Sequence, residues 1–425
     1  MQQQQPHVAI LGAGPVGLDA ALACADAGWP FTVYEAADTV AAHVRDWGHV
    51  RLFTPWDLNV SRRMRAHVPH APTGDACPTG NELIGELLAP VAQLPALEGR
   101  IRYRTPVAAV ARTGLLKHEQ IGTDTRAAAP FRLLLDTPPG SAWGTPTSGE
   151  ETAEASLVLD CTGTYSHPNT LGQGGIPAPG ERALHSRITR TLPSADGSDD
   201  PDRWAGTVVL VGAGKSAQTA ARDLAALPGT RLEWVVRSPA PDWGAVPDDT
   251  LPGRQELVST AQALAKGAHG RVTVHTGAHV QFLSPAPEDD RVLVRLATAD
   301  GPREVLADHV VSLTGYTGDH TLYRQLQVHE CYATGAPMSL SAALLGAAGG
   351  DCLTQPATGI AQLRSPEPDF FILGAKSYGR LNTFLLRTGY QQVDEIATGY
   401  AGVEGPRPLS GFPSSAEDPN RRSSP

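Results

Sequence analysis

Two stretches of this chain hold residues whose types and spacing suit phosphate chemistry. The first, Gly12-Ala13-Gly14-Pro15-Val16-Gly17, closes an apolar run from Val8 to Leu11 and opens a run of small residues at helical spacing, Leu18 to Ala27. Strand, glycine turn and helix in this order are the context expected of a dinucleotide-binding turn; the alternative is a glycine-rich loop such as any α/β protein carries. Gly12 permits the tight turn, Gly14 lets the backbone approach a pyrophosphate, and Gly17 lets the helix lie close on the strand. The helix that starts on Pro15 aims the unpaired N–H groups of its first turn, from Val16 onward, at the phosphates. A second apolar stretch ends in Glu35, 23 positions after Gly12. That is near the spacing of a carboxylate that accepts from a ribose 2′-OH.

The pattern recurs. Thr207–Val211 leads into Gly212-Ala213-Gly214-Lys215-Ser216-Ala217, a helix through Ala220, Leu224 and Leu227 follows, and the strand Arg231–Arg237 comes next. Ala217 stands where the third glycine would be, which the motif tolerates. An internal repeat of a βαβ unit is stronger support for a dinucleotide fold than either copy alone. This second unit ends in Arg237, 25 positions after Gly212, and not in an acid. An arginine there suits a 2′-phosphate, hence NADPH over NADH, with NADH still open. Otherwise Arg237 is an exposed strand-end residue. Lys215 lies by the second pyrophosphate or is a solvated helix-start lysine.

The elements that must position these turns fit an α/β protein of two or three domains, at about 150 residues each for 425 residues. Hydrophobic content is 41% and net charge −10, with no basic block, which speaks against a nucleic-acid partner. No apolar run approaches the ~20 residues of a membrane helix, and no basic leader precedes Asp19 and Asp26, so a cytoplasmic location is expected. Cys24, Cys77, Cys161, Cys331 and Cys352 form no CxxC or close pair, so neither a disulfide framework nor a metal site is expected. Ala36–Ala76, with Trp47, Trp56 and the arginines at 62, 63 and 65, reads as an irregular excursion. Asn81–Leu94 reads as helical. Gly99–Arg112 and Phe131–Asp136 read as strands, and the polar stretch Pro138–Ala155 as a solvated loop. Ser156–Cys161 is a buried strand running into Thr162-Gly163, and Ala307–Leu313 another running into Thr314-Gly315. Val272–Leu283 and Arg291–Thr298 read as a meander. Asp369–Gly374 is a last strand and Asn382–Tyr400 a closing helix.

Two dinucleotide folds linked by strands that end in Thr-Gly resemble the two-dinucleotide-binding-domain flavoproteins. That resemblance implies two Rossmann-like domains. An FAD-binding domain is expected over 1–165 and again over 310–403, with an NAD(P)H-binding domain over 166–309 inserted in it and a disordered tail over 404–425. Cys161-Thr162-Gly163 with Pro168, Ile176–Gly180 leading to His185-Ser186, Thr314-Gly315-Tyr316 and the unpaired cysteines are most similar to the flavin-containing monooxygenases and the related flavoproteins of cation efflux. Gly374 is followed by Ala375-Lys376 and not by the Gly-Asp of disulfide reductases, which again resembles the monooxygenases.

The resemblance implies FAD and NADPH as cofactors and O2 and a small organic molecule as co-substrates, oxygenated through a C4a-(hydro)peroxyflavin. The other readings are an NAD(P)H-dependent FAD oxidoreductase that never oxygenates, and a flavin-binding scaffold. Trp56 is expected to wall the flavin ring and Asn59 to hydrogen-bond its reacting position; the alternatives are a core tryptophan and a turn asparagine. His185 either orients nicotinamide or phosphate, or is a plain loop histidine. Lys376, Tyr378 and Arg380 lie either at the flavin's pyrimidine end or on the surface. The arginines at 62, 63 and 65 either meet an acidic substrate or line a solvated helix face. The substrate's identity is not written in these residues, and self-association into a homo-oligomer stays open.

Overall fold

The structure is a computed structural model that describes residues 7–137, 149–194, 202–247, 249, 251–346, 353 and 358–400. Cys352 and the 404–425 tail lie outside the described residues. β1 (Val8–Leu11) is buried throughout, as a central parallel strand must be. It feeds α1 (Pro15–Asp26), which starts on a proline whose missing N–H costs nothing at that position. α1 stops at Gly28, where φ is 68°, and the chain returns as β2 (Phe31–Tyr34), parallel to β1 with Val8 opposite Phe31. β3 (Leu157–Asp160) flanks β1 on the other side, and Ile101–Arg102 pairs outside β2.

Between β2 and β3 the chain makes short helices and an antiparallel sheet of Val107–Arg112, Phe131–Asp136 and Glu150–Ala155. The last of these corrects the expected loop over Pro138–Ala155. Glu150, Thr152 and Glu154 face solvent along an edge strand, so its composition reads as loop while its backbone pairs with Phe131–Asp136. Of the remainder of that stretch, 138–148 lies outside the described residues.

The second unit repeats the first. β4 (Gly206–Val211), α2 (Lys215–Ala226) and β5 (Thr230–Val236) form a βαβ turn, with Val211 opposite Val235. β6 (His309–Ser312) lies on the other side of β4, and the boundary expected after residue 309 therefore falls inside a strand of the second sheet. Val272–Thr276 joins β5 in parallel and is not part of the meander. The meander is antiparallel and comprises His279–Pro285, Val292–Thr298 and Gly301–Ala307.

The chain then returns to the first sheet. β7 (Phe370–Ile372) pairs with β3, giving the order β7-β3-β1-β2 with Ile101–Arg102 at the edge. The first sheet thus takes strands from both sides of the second along the chain. α3 (Leu386–Gly399) packs on α1 so closely that a Cβ on Gly389 would lie 2.5 Å from Val16 Cγ2. The two segments that link the sheets run side by side, with Pro168 bridged to Tyr316 and the Tyr165 and Tyr316 rings 4.8 Å apart. Among the described residues no helix is long and apolar enough to cross a membrane.

Candidate dinucleotide sites

At the first turn the three glycines divide into two kinds. Gly12 has φ +95°, and a Cβ there would lie 2.9 Å from the Cys161 carbonyl oxygen; one on Gly17 would lie 2.0 Å from that of Gly12. A Cβ on Gly14 would meet nothing within 4 Å. The packed glycines close the turn on the sheet, and the open one faces free space at the start of α1. No side chain caps that helix start, so its first-turn amides are available to an anion. Glu35 is buried at the end of β2 and accepts from the Ala13 amide at 2.7 Å and the Ala37 amide at 2.8 Å. It braces the turn it faces, and each oxygen keeps a lone pair for a ribose hydroxyl. Gly374, φ +71°, donates its N–H to Gln392 at 2.8 Å and lies against Val16 at the start of α1. These features fit a flavin dinucleotide: an uncapped helix start, a bare backbone before it and an acid at the end of the second strand.

The second turn has the same division. Gly212 has φ +134° and a Cβ there would lie 2.2 Å from the Leu313 carbonyl oxygen, whereas Gly214 has open space around it. The buried Trp234 indole donates to the Gly212 carbonyl at 2.8 Å and fixes the turn from below. Ala217 is fully buried where the third glycine would be, and α2 starts without a side-chain cap. Ser216 is exposed beside it. The Lys215 ammonium donates to the carbonyls of Trp243 at 2.9 Å and Gly244 at 3.2 Å. Burial lowers its pKa. Arg237 is exposed at the end of β5, with no partner for its guanidinium among the described residues.

Thr314 and Gly315 are held by Asn169, whose N–H donates to the Gly315 carbonyl at 2.9 Å. Thr162 donates its N–H and hydroxyl to Asp160, at 3.1 and 2.6 Å, and Gly163 has φ +69° with nothing near a Cβ. Trp56 is buried in the core of the first unit. Asn59 is 1% exposed and spends its side chain internally. It donates to the carbonyls of Thr54 and Pro55 at 2.8 and 3.0 Å and accepts from the Thr54 hydroxyl at 2.9 Å. His185 is exposed in a short turn that precedes the amino end of Ile188–Thr189, the edge strand beside β6. The glycine turn is at the carboxyl end of the same parallel sheet, so the structure does not bring His185 to Gly212. Arg63 turns inward, bonding Asp19 and Asp394 at 2.7 Å each.

Two residues near the turns carry no signal in the sequence. Asp160, inside an apolar run, is 0% exposed and pairs with Lys376, itself 2% exposed, so Lys376 is not a surface residue. Asn169 carried no motif. A cavity of about 500 Å³, lined by Lys117, His320, Tyr323, Arg324 and Glu330 among others, shares Tyr323 with the Lys376 pair. The four described cysteines are free. Burial pushes the Cys24 thiol up to about 12 and that of Cys161 well above its ordinary value. The two thiols nearest the first turn are therefore protonated and inert.

No family model matches the sequence, and none of the curated proteins matches it. Its structural neighbours are two-dinucleotide-binding-domain flavoproteins. A bacillithiol disulfide reductase from Bacillus cereus is 19% identical with a TM-score of 0.66, over 93% of this chain and 98% of that one. An ornithine N-hydroxylase from Kutzneria sp. 744, solved with reduced FAD, NADP+ and L-ornithine, is 16% identical with a TM-score of 0.60, over 93% and 99%. A thioredoxin reductase from T. acidophilum is 15% identical with a TM-score of 0.55, over 92% and 97%. At these identities the likeness establishes a shared fold across nearly the whole chain, with reductases and monooxygenases both among those who share it.

Proposed function

We propose that this chain is an FAD- and NADPH-dependent oxidoreductase, and within that class a monooxygenase acting on a small organic molecule. The carrying observation is the duplicated turn. Two parallel sheets each end in a packed glycine, an open glycine and an uncapped helix start, and the linking segments are bonded to each other. Ligands of such folds lie at the carboxyl ends of the strands. The amides of Val16 and Gly17 hold the FAD pyrophosphate, with Glu35 at the ribose and the bare backbones of Gly163 and Gly374 alongside. Gly214, Ser216 and Ala217 hold the second pyrophosphate, with Arg237 on a 2′-phosphate. Bound flavin supplies a two-electron acceptor for the nicotinamide and, once reduced, a reductant for O2. The balanced reaction takes NADPH, a proton, O2 and substrate to NADP+, water and a product with one added oxygen.

Oxygenation is favoured over a dithiol relay at the first turn, because such a relay needs an accessible low-pKa thiol and the two cysteines beside that turn, Cys24 and Cys161, are buried with raised pKa values. The experiment is a screen of NADPH oxidation by the FAD-loaded protein across amines, sulfides, ketones and aromatic rings, with product mass recorded. Substrate-stimulated oxidation with a gain of one oxygen per NADPH is the expected result. Electrons recovered only as peroxide, or only with artificial acceptors, assign a reductase. FAD held without NADPH oxidation assigns a scaffold, and a colourless protein that cannot be reconstituted overturns the reading.

A further inference from the structure

The ion pair at the ends of β3 and β7 has no part in the binding roles above. Lys376 Nζ donates to Asp160 Oδ2 at 2.6 Å and to Thr162 Oγ1 at 3.2 Å. The other carboxylate oxygen, Oδ1, accepts both bonds from Thr162. The two charged side chains are 1% and 0% exposed. The Tyr323 ring lies 5.1 Å from Nζ, and a Cβ on Gly318 would lie 2.5 Å from Lys376 Cγ, so the lysine stem is closely enclosed.

The pair adjoins the first glycine turn. The Cys161 carbonyl, one residue after Asp160, closes on Gly12, and Gly374, two residues before Lys376, rests on Val16. Taking two charges out of water costs about as much as their attraction returns, and apolar side chains of similar volume would stabilise this spot as well. In a water-poor interior, however, each charge acts strongly on any charge that forms nearby. Two-electron reduction of a flavin with uptake of one proton leaves it one unit more negative. An ammonium beside it favours that state and a carboxylate opposes it.

We propose that Lys376 and Asp160 are positioning residues whose opposed charges set the reduction potential of the flavin at the first turn. The inference rests on the FAD reading above. Its signature is divergence: removing the lysine leaves a lone carboxylate and lowers the potential, while removing the aspartate leaves a lone ammonium and raises it. A merely structural pair would not separate the two variants by sign.

The test is dye-equilibrium titration of FAD-loaded wild type, Lys376→Met, Asp160→Asn and the double variant. At a fixed dye potential the reduced-to-oxidised ratio should fall about tenfold in Lys376→Met and rise about tenfold in Asp160→Asn, each about 30 mV for a two-electron couple. The double variant should return to within about threefold of wild type. Singles that shift the same way, or by less than about twofold, overturn the proposal. If Lys376→Met does not fold, the rise in Asp160→Asn and its reversal in the neutral double variant decide the matter. Wild type that binds no FAD sinks the functional reading and this inference together; FAD bound with undivided potentials sinks this inference alone.

Discussion

Asn169 and Thr314, 145 positions apart, exchange two hydrogen bonds: the Asn169 side-chain amide donates to the Thr314 carbonyl at 3.1 Å, and the Thr314 hydroxyl donates to the Asn169 carbonyl at 2.8 Å. They join the two segments that link the sheets, so they fix how one glycine turn faces the other. Asn169→Ala leaves the Thr314 carbonyl without that donor. Calorimetry should show a loss of about 1–2 kcal/mol. Stopped-flow reduction by NADPH should slow severalfold with nicotinamide affinity nearly unchanged, because relative placement sets the rate.

Gly214→Val adds a side chain where nothing lies within 4 Å, so the fold should accept it. The branched group would stand in the approach of a pyrophosphate. FAD content by absorbance should match wild type, while flavin reduction by NADPH should drop at least about a hundredfold. Reduction at the wild-type rate would mean that the nicotinamide binds elsewhere.

Arg237→Ala removes an exposed guanidinium from the end of β5. A charge-assisted bond of about 1.5–3 kcal/mol to a 2′-phosphate would be lost. Steady-state kcat/KM for NADPH should fall about tenfold to a hundredfold, with that for NADH within about threefold. Equal losses with both would reassign the arginine to a structural part.

Asp19 lies fully buried on α1, and burial raises its pKa to about 6 in spite of Arg63 and the Ser61 hydroxyl. The folded state thus holds this proton more tightly than the unfolded chain. The stabilisation is present below the ordinary carboxylate pKa and is lost as pH rises through about 6. Asp369, also raised to about 6, acts in the same direction. Asp19→Asn should flatten the fall of denaturant-derived stability between pH 4 and 6.5 by about 1–3 kcal/mol. An unchanged slope would show that Arg63 keeps Asp19 ionised throughout.

Both glycine turns, their strands and their helices were legible in the chain, because close backbone packing at Gly12, Gly17 and Gly212 leaves no room for a side chain and so dictates residue type locally. The edge strand Glu150–Ala155 was not legible, since a solvated edge and a loop favour the same polar residues. Nor could the sequence decide where Lys215, Lys376, Asn59 and Arg63 point. A lysine after a glycine turn can face a phosphate, water or a carbonyl, and only the packed chain brings Trp243 to Lys215 and Asp160 to Lys376. Periodicity and steric exclusion act between neighbours in sequence. The partner of a long charged side chain is set by which distant strands end at the same place.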